Sequence, residues 1–335
     1  MIVTEINQVS LSDIIATNAV DYTDVYDAGT TYPVGGLRGF AGIVYSSLQA
    51  SNVGHQPDTS PTWWKQADFD LTFDYPKDVL TIDAGYIYIS MQTPNIGKAP
   101  ADNPAYWSKV EAANRYAMFD GESNTVTSRA ENLTVSFNSK FVNSITLIKM
   151  RAKTGNIKVK KGALVIFDKT YDFANHSVIQ TIEEYCFAER QLRKALSELN
   201  VPVAGSVIVE ITLDYPGDVV ELGVCAVGKK LDVGPELTGL TLAPIDYSQV
   251  TKDKDGLIHI DYEFTVNEFQ TQAIFKIDRW DYIAEKLLAI LGRPCIVIGG
   301  DGQKDSLILY ARIKYRMLWK HQRDCEISID VTGLI

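Results

Sequence analysis

Apolar and polar residues alternate one by one along much of the chain. Leu133, Val135 and Phe137 alternate with Thr134, Ser136 and Asn138, and Ile157 and Val159 with Lys158 and Lys160. Val207, Val209, Ile211 and Leu213 are set apart in the same way by Ile208, Glu210 and Thr212. Successive side chains of a strand point to opposite faces, so these runs predict half-buried strands of an antiparallel sheet. One stretch has helical spacing instead: Tyr185, Ala188, Leu192, Ala195, Leu196 and Leu199, closed by Asn200 and Pro202. Residues 112–230 therefore read as a β-sandwich carrying one helix.

The alternation resumes near the C-terminal end. Ile258, Ile260, Tyr262, Phe264 and Val266 alternate with His259, Asp261, Glu263 and Thr265, and a second strand is expected over 273–277. Asp278 is a candidate N-cap for a helix with Ile283, Leu287, Ile290 and Leu291 on one face, ended by Gly292 and Pro294. A short buried strand at Cys295–Ile298, a long strand over 307–317 and a last one through Cys325, Ile327, Ile329 and Val331 complete the order ββαβββ. That order predicts an α+β domain over 231–335, with one helix on a mostly antiparallel sheet. Its edges suit augmentation between subunits.

The N-terminal region, 1–111, is organised by a repeat. Residues 32–67 align with 75–110 at a constant offset of 43 without a gap. Tyr32-Pro33 meets Tyr75-Pro76, Gly42 meets Gly85, Tyr45 meets Tyr88, and Ser47 and Gln49 meet Ser90 and Gln92. Asn52, Gly54, Pro57, Pro61 and Trp64 meet Asn95, Gly97, Pro100, Pro104 and Trp107. Each copy reads as a small β module. Asn-x-Gly tolerates positive φ, and a stiff proline loop returns an indole onto the strand. A module of about 40 residues buries little surface and needs a neighbour. The fold class expected for the whole chain is mainly β: small tandem β modules, a jelly-roll-like β-sandwich and a C-terminal α+β domain.

Composition narrows the classes of function. With 42 acidic against 32 basic residues the chain carries a net charge of −10, which argues against a nucleic-acid groove. No apolar run approaches the length of about 20 residues that spans a bilayer, and the N-terminus lacks a basic, apolar leader. The chain is thus expected to be made in a cytoplasm and not to insert in a membrane. Cys186, Cys225, Cys295 and Cys325 form no CxxC pair and read as reduced, mostly buried thiols. There are 17 Tyr, 12 Phe and 5 Trp, an excess of aromatics with polar handles that suits wet contact surfaces.

Gly42-Ile43-Val44-Tyr45-Ser46-Ser47-Leu48, Asn52-Val53-Gly54-His55-Gln56-Pro57 and Trp63-Trp64 resemble the small carbohydrate-binding modules of the chitin-binding type, families 5 and 12. The second copy repeats the resemblance through Gly85, Asn95, Pro100 and Tyr106-Trp107. In that family exposed aromatics stack on sugar rings, so the resemblance implies Tyr45, Trp63, Trp64, Tyr88, Tyr106 and Trp107 as candidate carbohydrate contacts. The alternative for these residues is the core of the module. Tyr116-Ala117-Met118-Phe119-Asp120, the stretch Ile208 to Gly228, and Ile245-Asp246-Tyr247-Ser248 followed by Lys254-Asp255-Gly256 are similar to segments found beside this motif in tailed-phage virion proteins. The resemblance implies a structural protein of the tail, neck or baseplate. It would be located in the virion and oligomeric, with copies of itself and other virion proteins as partners and host surface polysaccharide as a glycan partner. The alternative is a secreted carbohydrate-binding protein or a polysaccharide-degrading enzyme with targeting modules.

No catalytic constellation supports that alternative. The four histidines, His55, His176, His259 and His321, form no metal spacing. Gly299-Gly300-Asp301-Gly302 lacks the Lys-Ser/Thr of a phosphate loop and reads as a turn, and no Gly-x-Ser-x-Gly elbow occurs. Lys158-Val159-Lys160-Lys161 reads as a solvated strand face. A glycosidase needs two carboxylates flanking the sugar, and linear spacing does not place such a pair. The expectation is a protein that is not an enzyme and carries no cofactor or metal.

Overall fold

The computed structural model describes residues 1–174, 181–183, 191–237, 239–252, 258–261, 265–300, 302, 304–320 and 323–334. It is mainly β, as the alternation predicts, with one large antiparallel sheet and several small ones. β1 (Ile2–Asn7) and β2 (Ile14–Thr17) precede the repeat. The first module holds β3 (Leu37–Phe40), β4 (Ile43–Ser47) and β5 (Trp64–Gln66), paired in that order. The second holds β6 (Leu80–Asp83), β7 (Tyr86–Ser90) and β8 (Trp107–Ala112).

Both modules turn their first hairpin with two residues at positive φ, Ala41-Gly42 and Ala84-Gly85. This is the turn whose twist matches an antiparallel pair. Gly85 has a second reason to lack a side chain, since a Cβ there would lie 2.9 Å from Cγ of Tyr116. Neither module is buried alone. Leu37 and Ala67 share a cluster with Ile82 and Ile87, and Val34 and Leu48 of the first pack on Tyr75 and Trp107 of the second. The pair is tied to the body by an ion pair of 2.6 Å between Arg115 Nε and Asp21, and by Asn114, which bonds the backbone of Val20 and Ser128.

The sandwich-like body follows with β9 (Thr127–Ser139), β10 (Ser144–Arg151), β11 (Thr154–Lys161), β12 (Leu164–Asp172), β13 (Ala195–Glu198) and β14 (Val207–Asp232). β14 is its spine. β9 runs along one edge from Val207 to Leu222, while β11 and then β10 occupy the other. Leu133, Val135, Phe137, Ile157, Val159, Val209 and Ile211, the residues the alternation points inward, form its core.

The helix expected over 185–199 does not form at its described end. Ala195–Glu198 is β13, with Leu196 opposite Leu147 of β10, while 184–190 lie outside the described residues. Covering the second edge of β10 and burying Ala195 and Leu196 outweighs helix propensities worth a few tenths of a kcal/mol per residue.

β13 also carries a buried carboxylate. Glu198 accepts from Lys169 Nζ at 2.7 Å, Tyr171 OH at 2.8 Å and the Asn200 amide at 2.9 Å. Burial works to raise its pKa, but these donors outweigh it and hold the carboxyl below its usual value. Its stabilisation is therefore complete above the unfolded value and is lost as pH falls through the depressed folded one. Glu198→Gln is expected to cost about 1–3 kcal/mol at neutral pH and to flatten the loss of stability below pH ~4.5. Urea midpoints taken at neutral and acid pH check both, and equal acid slopes in the two proteins would count against the reading.

The C-terminal part adds β15 (Thr241–Asp246), β16 (Gln249–Lys252), β17 (Ile258–Asp261), β18 (Thr265–Lys276), the helix α1 (Trp280–Ile290), β19 (Cys295–Ile298), β20 (Ile308–Trp319) and β21 (Asp324–Gly333). Ile283, Leu287 and Ile290 of α1 are buried against Phe275, Val297, Ile313 and Ile327 of the sheet, as expected, whereas Leu291, expected on the same face, is the C-cap residue and is exposed. Three details differ. The alternating run from Ile258 breaks into β17, which pairs with β16 as a separate hairpin, and β18; 262–264 lie outside the described residues. The strand expected over 273–277 is the end of the longer β18. Asp278 lies in a 3-10 turn, Ile277–Arg279, so the N-cap of α1 is Arg279.

The large sheet runs β12-β11-β14-β1-β19-β20-β21-β18-β15. β1 therefore lies between the body and the C-terminal part, with Ile6 opposite Gly228 of β14 and Val3 opposite Val297 of β19. The expected boundary at 230/231 falls inside β14, and residues 2–7 belong to the middle of the sheet. Cys225, Cys295 and Cys325 are buried free thiols, as the spacing predicts; Cys186 lies outside the described residues.

Candidate functional site

The aromatic positions of the repeat fall into two groups. Trp64 is 2% exposed; its Nε1 donates to the carbonyl of His55 at 2.7 Å, and its ring meets Tyr32 edge-on at 5.3 Å. Trp107 is 3% exposed; its Nε1 donates to the carbonyl of Lys98 at 2.8 Å, and its ring meets Tyr75 at 5.1 Å. Tyr45 is buried in the same cluster as Tyr32 and Trp64. These three are placed as core. A module this small needs its largest side chains inside.

Trp63, Tyr106 and Tyr88 are half-buried and pack partly on the aromatic cores of their modules. Burial and, after it, the charge of Asp83 raise the pKa of the Tyr88 phenol. Trp63 and Tyr106 occupy equivalent places and are held by equivalent bonds. The carbonyl of Trp63 accepts from the Leu48 amide at 2.9 Å and from Asn52 Nδ2 at 3.3 Å. That of Tyr106 accepts from the Met91 amide at 2.8 Å and from Asn95 Nδ2 at 3.4 Å. Gln49 and Gln92 clamp the two proline loops through the carbonyls of Thr62 and Ala105. The buried Asn52 and Asn95 and the exposed Gln49 and Gln92 thus fix the backbone that carries each aromatic ring.

Two further residues escaped the sequence reading. His55 stacks on Trp63 with centroids 3.9 Å apart and planes 11° apart, and Lys98 Nζ lies 5.2 Å from the Tyr106 centroid. They are equivalent positions, each directly after the paired glycine, but one is imidazole and the other ammonium. Identity between copies could not find them; their shared capacity to donate N–H next to a ring could. In each copy the nitrogen-bearing side chain lies over one face of its ring, which leaves the other face and the N–H donor as the groups suited to the apolar face and hydroxyls of a sugar.

A crevice of about 510 Å³ lies where the second module meets the body, lined by Asp21, Tyr86, Lys109, Glu111, Asp120 and Glu122 among others. Lys109 Nζ sits 3.7 Å from the Tyr86 centroid. Burial, with the neighbouring Tyr116 and Asp120, pushes the Tyr86 phenol up to about 12. Both oxygens of Asp120 are occupied, by the Glu122 amide and Thr125 Oγ1 at 2.7 Å each, and burial raises its pKa. The contact that crosses from module to body here is the edge-on packing of Tyr86 on Tyr116, with ring centroids 5.4 Å apart. Among the described residues, no group of three or more His, Cys, Asp or Glu is arranged to hold a metal ion, and no helix is long and apolar enough to cross a membrane. No protein-family model matches the chain, and no curated protein matches it in sequence.

Proposed function

We propose that the chain is an oligomeric structural component of a tailed-phage virion that carries its module pair as a glycan-contacting arm. The observation that carries this reading is the duplicated ring platform. Trp63 and Tyr106 are half-buried and held by the same bonds in both copies, each with a nitrogen-bearing side chain over its ring. Two weak platforms on one arm gain from multivalency, more so when many copies assemble. The outermost strands of the large sheet support assembly: β12 has Leu164 and Val165 exposed and, among the described residues, pairs on one side only, while β15 ends the sheet opposite.

Retention on immobilised chitin tests the arm. Trp63→Ala with Tyr106→Ala should lower retention by about tenfold, the equivalent of about 1.4 kcal/mol, with stability changed by less than about 1 kcal/mol. Undiminished retention would remove the platforms from the proposal. Mass photometry and negative-stain imaging of the full chain test assembly. Closed multimers are expected, and a monomer that hydrolyses the polysaccharide would favour a secreted enzyme instead.

A further inference from the structure

The edge of β14 that carries β9 and β1 is interrupted. β9 pairs as far as Leu222, opposite Thr127, and β1 begins pairing at Val227, opposite Asn7. Between them Gly223, Val224, Cys225 and Ala226 have a strand partner only on the other side, where β10 pairs through Ile148, Leu147 and Thr146. Among the described residues, no hydrogen bond reaches the backbone of these four from the interrupted edge. In a strand, alternate residues turn N–H and C=O to the same edge, so about two donors and two acceptors face the gap. Unpaired buried backbone groups are rare and costly.

The gap opens on a cavity of about 740 Å³ lined by Val224, Cys225 and Ala226 on one side and Met118 and Phe119 on another. That volume is of the size that encloses a ligand, and four strand residues span about 13 Å. The walls are fixed: Tyr310 OH donates to the carbonyl of Gly121 at 2.6 Å, and Asp120 has both oxygens engaged. Arg293, which follows α1 and also lines the cavity, is exposed and has no carboxylate within ion-pairing distance among the described residues.

We propose that this interruption is a slot for an extended segment of a partner polypeptide, about four residues long. The segment would complete the sheet between β9 and β1, present an apolar side chain to Phe119 and place a carboxylate side chain on Arg293. Backbone pairing supplies the register, and the alternating pockets and the guanidinium supply the specificity. This inference does not depend on the chain being part of a virion.

The test uses the full chain and, as probe, an acetylated and amidated tetrapeptide alternating valine and threonine and ending in glutamate. In the free protein the cavity-facing amides of 223–226 should exchange faster than those facing β10. Millimolar probe should slow them by about tenfold, as new backbone hydrogen bonds do. Arg293→Glu, a surface change that leaves the fold intact, should weaken the probe by about tenfold, as loss of a charge-assisted contact does. A probe N-methylated at its central amide should not protect. Absence of protection at millimolar probe overturns the proposal, as does protection indifferent to N-methylation or to Arg293→Glu. So does octanoate binding in the cavity to the exclusion of the peptide, which would mark a small-molecule pocket.

Discussion

Trp64→Ala is expected to unfold the first module rather than to disarm a surface. The side chain fills the space between Tyr26 and Tyr32, and its Nε1 is committed to the carbonyl of His55. Truncating a buried Trp typically costs about 3–5 kcal/mol, and the carbonyl of His55 loses its donor as well. A module with three short strands has little else to draw on. Trp107→Ala should do the same to the second module, where Phe69 and Tyr75 flank the ring. Near-UV circular dichroism during urea unfolding should show an early transition in each variant while the sandwich core persists. Trp64→Phe keeps an aromatic ring and should cost about 1–3 kcal/mol, chiefly the unsatisfied carbonyl. Wild-type stability combined with lost chitin retention would instead make Trp64 a sugar contact.

Gly228→Ala should separate the body from the C-terminal part. A Cβ at Gly228 would lie 1.9 Å from the carbonyl oxygen of Glu5, a backbone atom that cannot swing aside. The only relief is to push β1 off β14, and β1 is the strand that joins β14 to β19. Val3 is fully buried in that seam and Thr4 Oγ1 donates to Ser144 Oγ at 3.1 Å. Overpacking of this kind costs about 3 kcal/mol or more where the backbone cannot yield. Calorimetry should resolve two unfolding transitions in place of one cooperative one. Gly205→Ala is the control: its Cβ would meet only Phe141 Cε1 at 3.9 Å, so a change within about 0.5 kcal/mol is expected. If Gly228→Ala unfolds in a single transition at wild-type temperature, β1 does not couple the two cores.

The repeat was legible in the sequence because its identities fall on residues whose role is local. Gly42 and Gly85 are needed by a hairpin turn, and Asn52 and Asn95 by a bond made within the module. The core strands were legible for a similar reason, since a one-by-one alternation such as Leu133, Val135, Phe137 has one compact solution. What escaped depends on distant partners. Ala195 and Leu196 carry helical spacing, yet the uncovered edge of β10 recruits them as a strand. Nothing in Ile2-Val3-Thr4 announces a central strand, because its two neighbours lie more than 200 residues away in the chain. The six aromatic candidates divided in the same way. Their spacing shows that Trp63 and Trp64 are adjacent, but only the packing of Tyr32 shows which of them is inside. The interruption at Gly223–Ala226 is not encoded there at all; it exists because β9 starts at Thr127 and β1 stops at Asn7.

The most direct test of the proposed role is to find where the protein resides. An antibody raised against the full chain, applied to purified tailed-phage particles from the source lysate, should place gold at the tail, neck or baseplate. Quantitative mass spectrometry of the same particles should count several copies per particle. Particles free of the chain, with all of it recovered as soluble protein in the particle-free supernatant, would contradict a structural role in the virion.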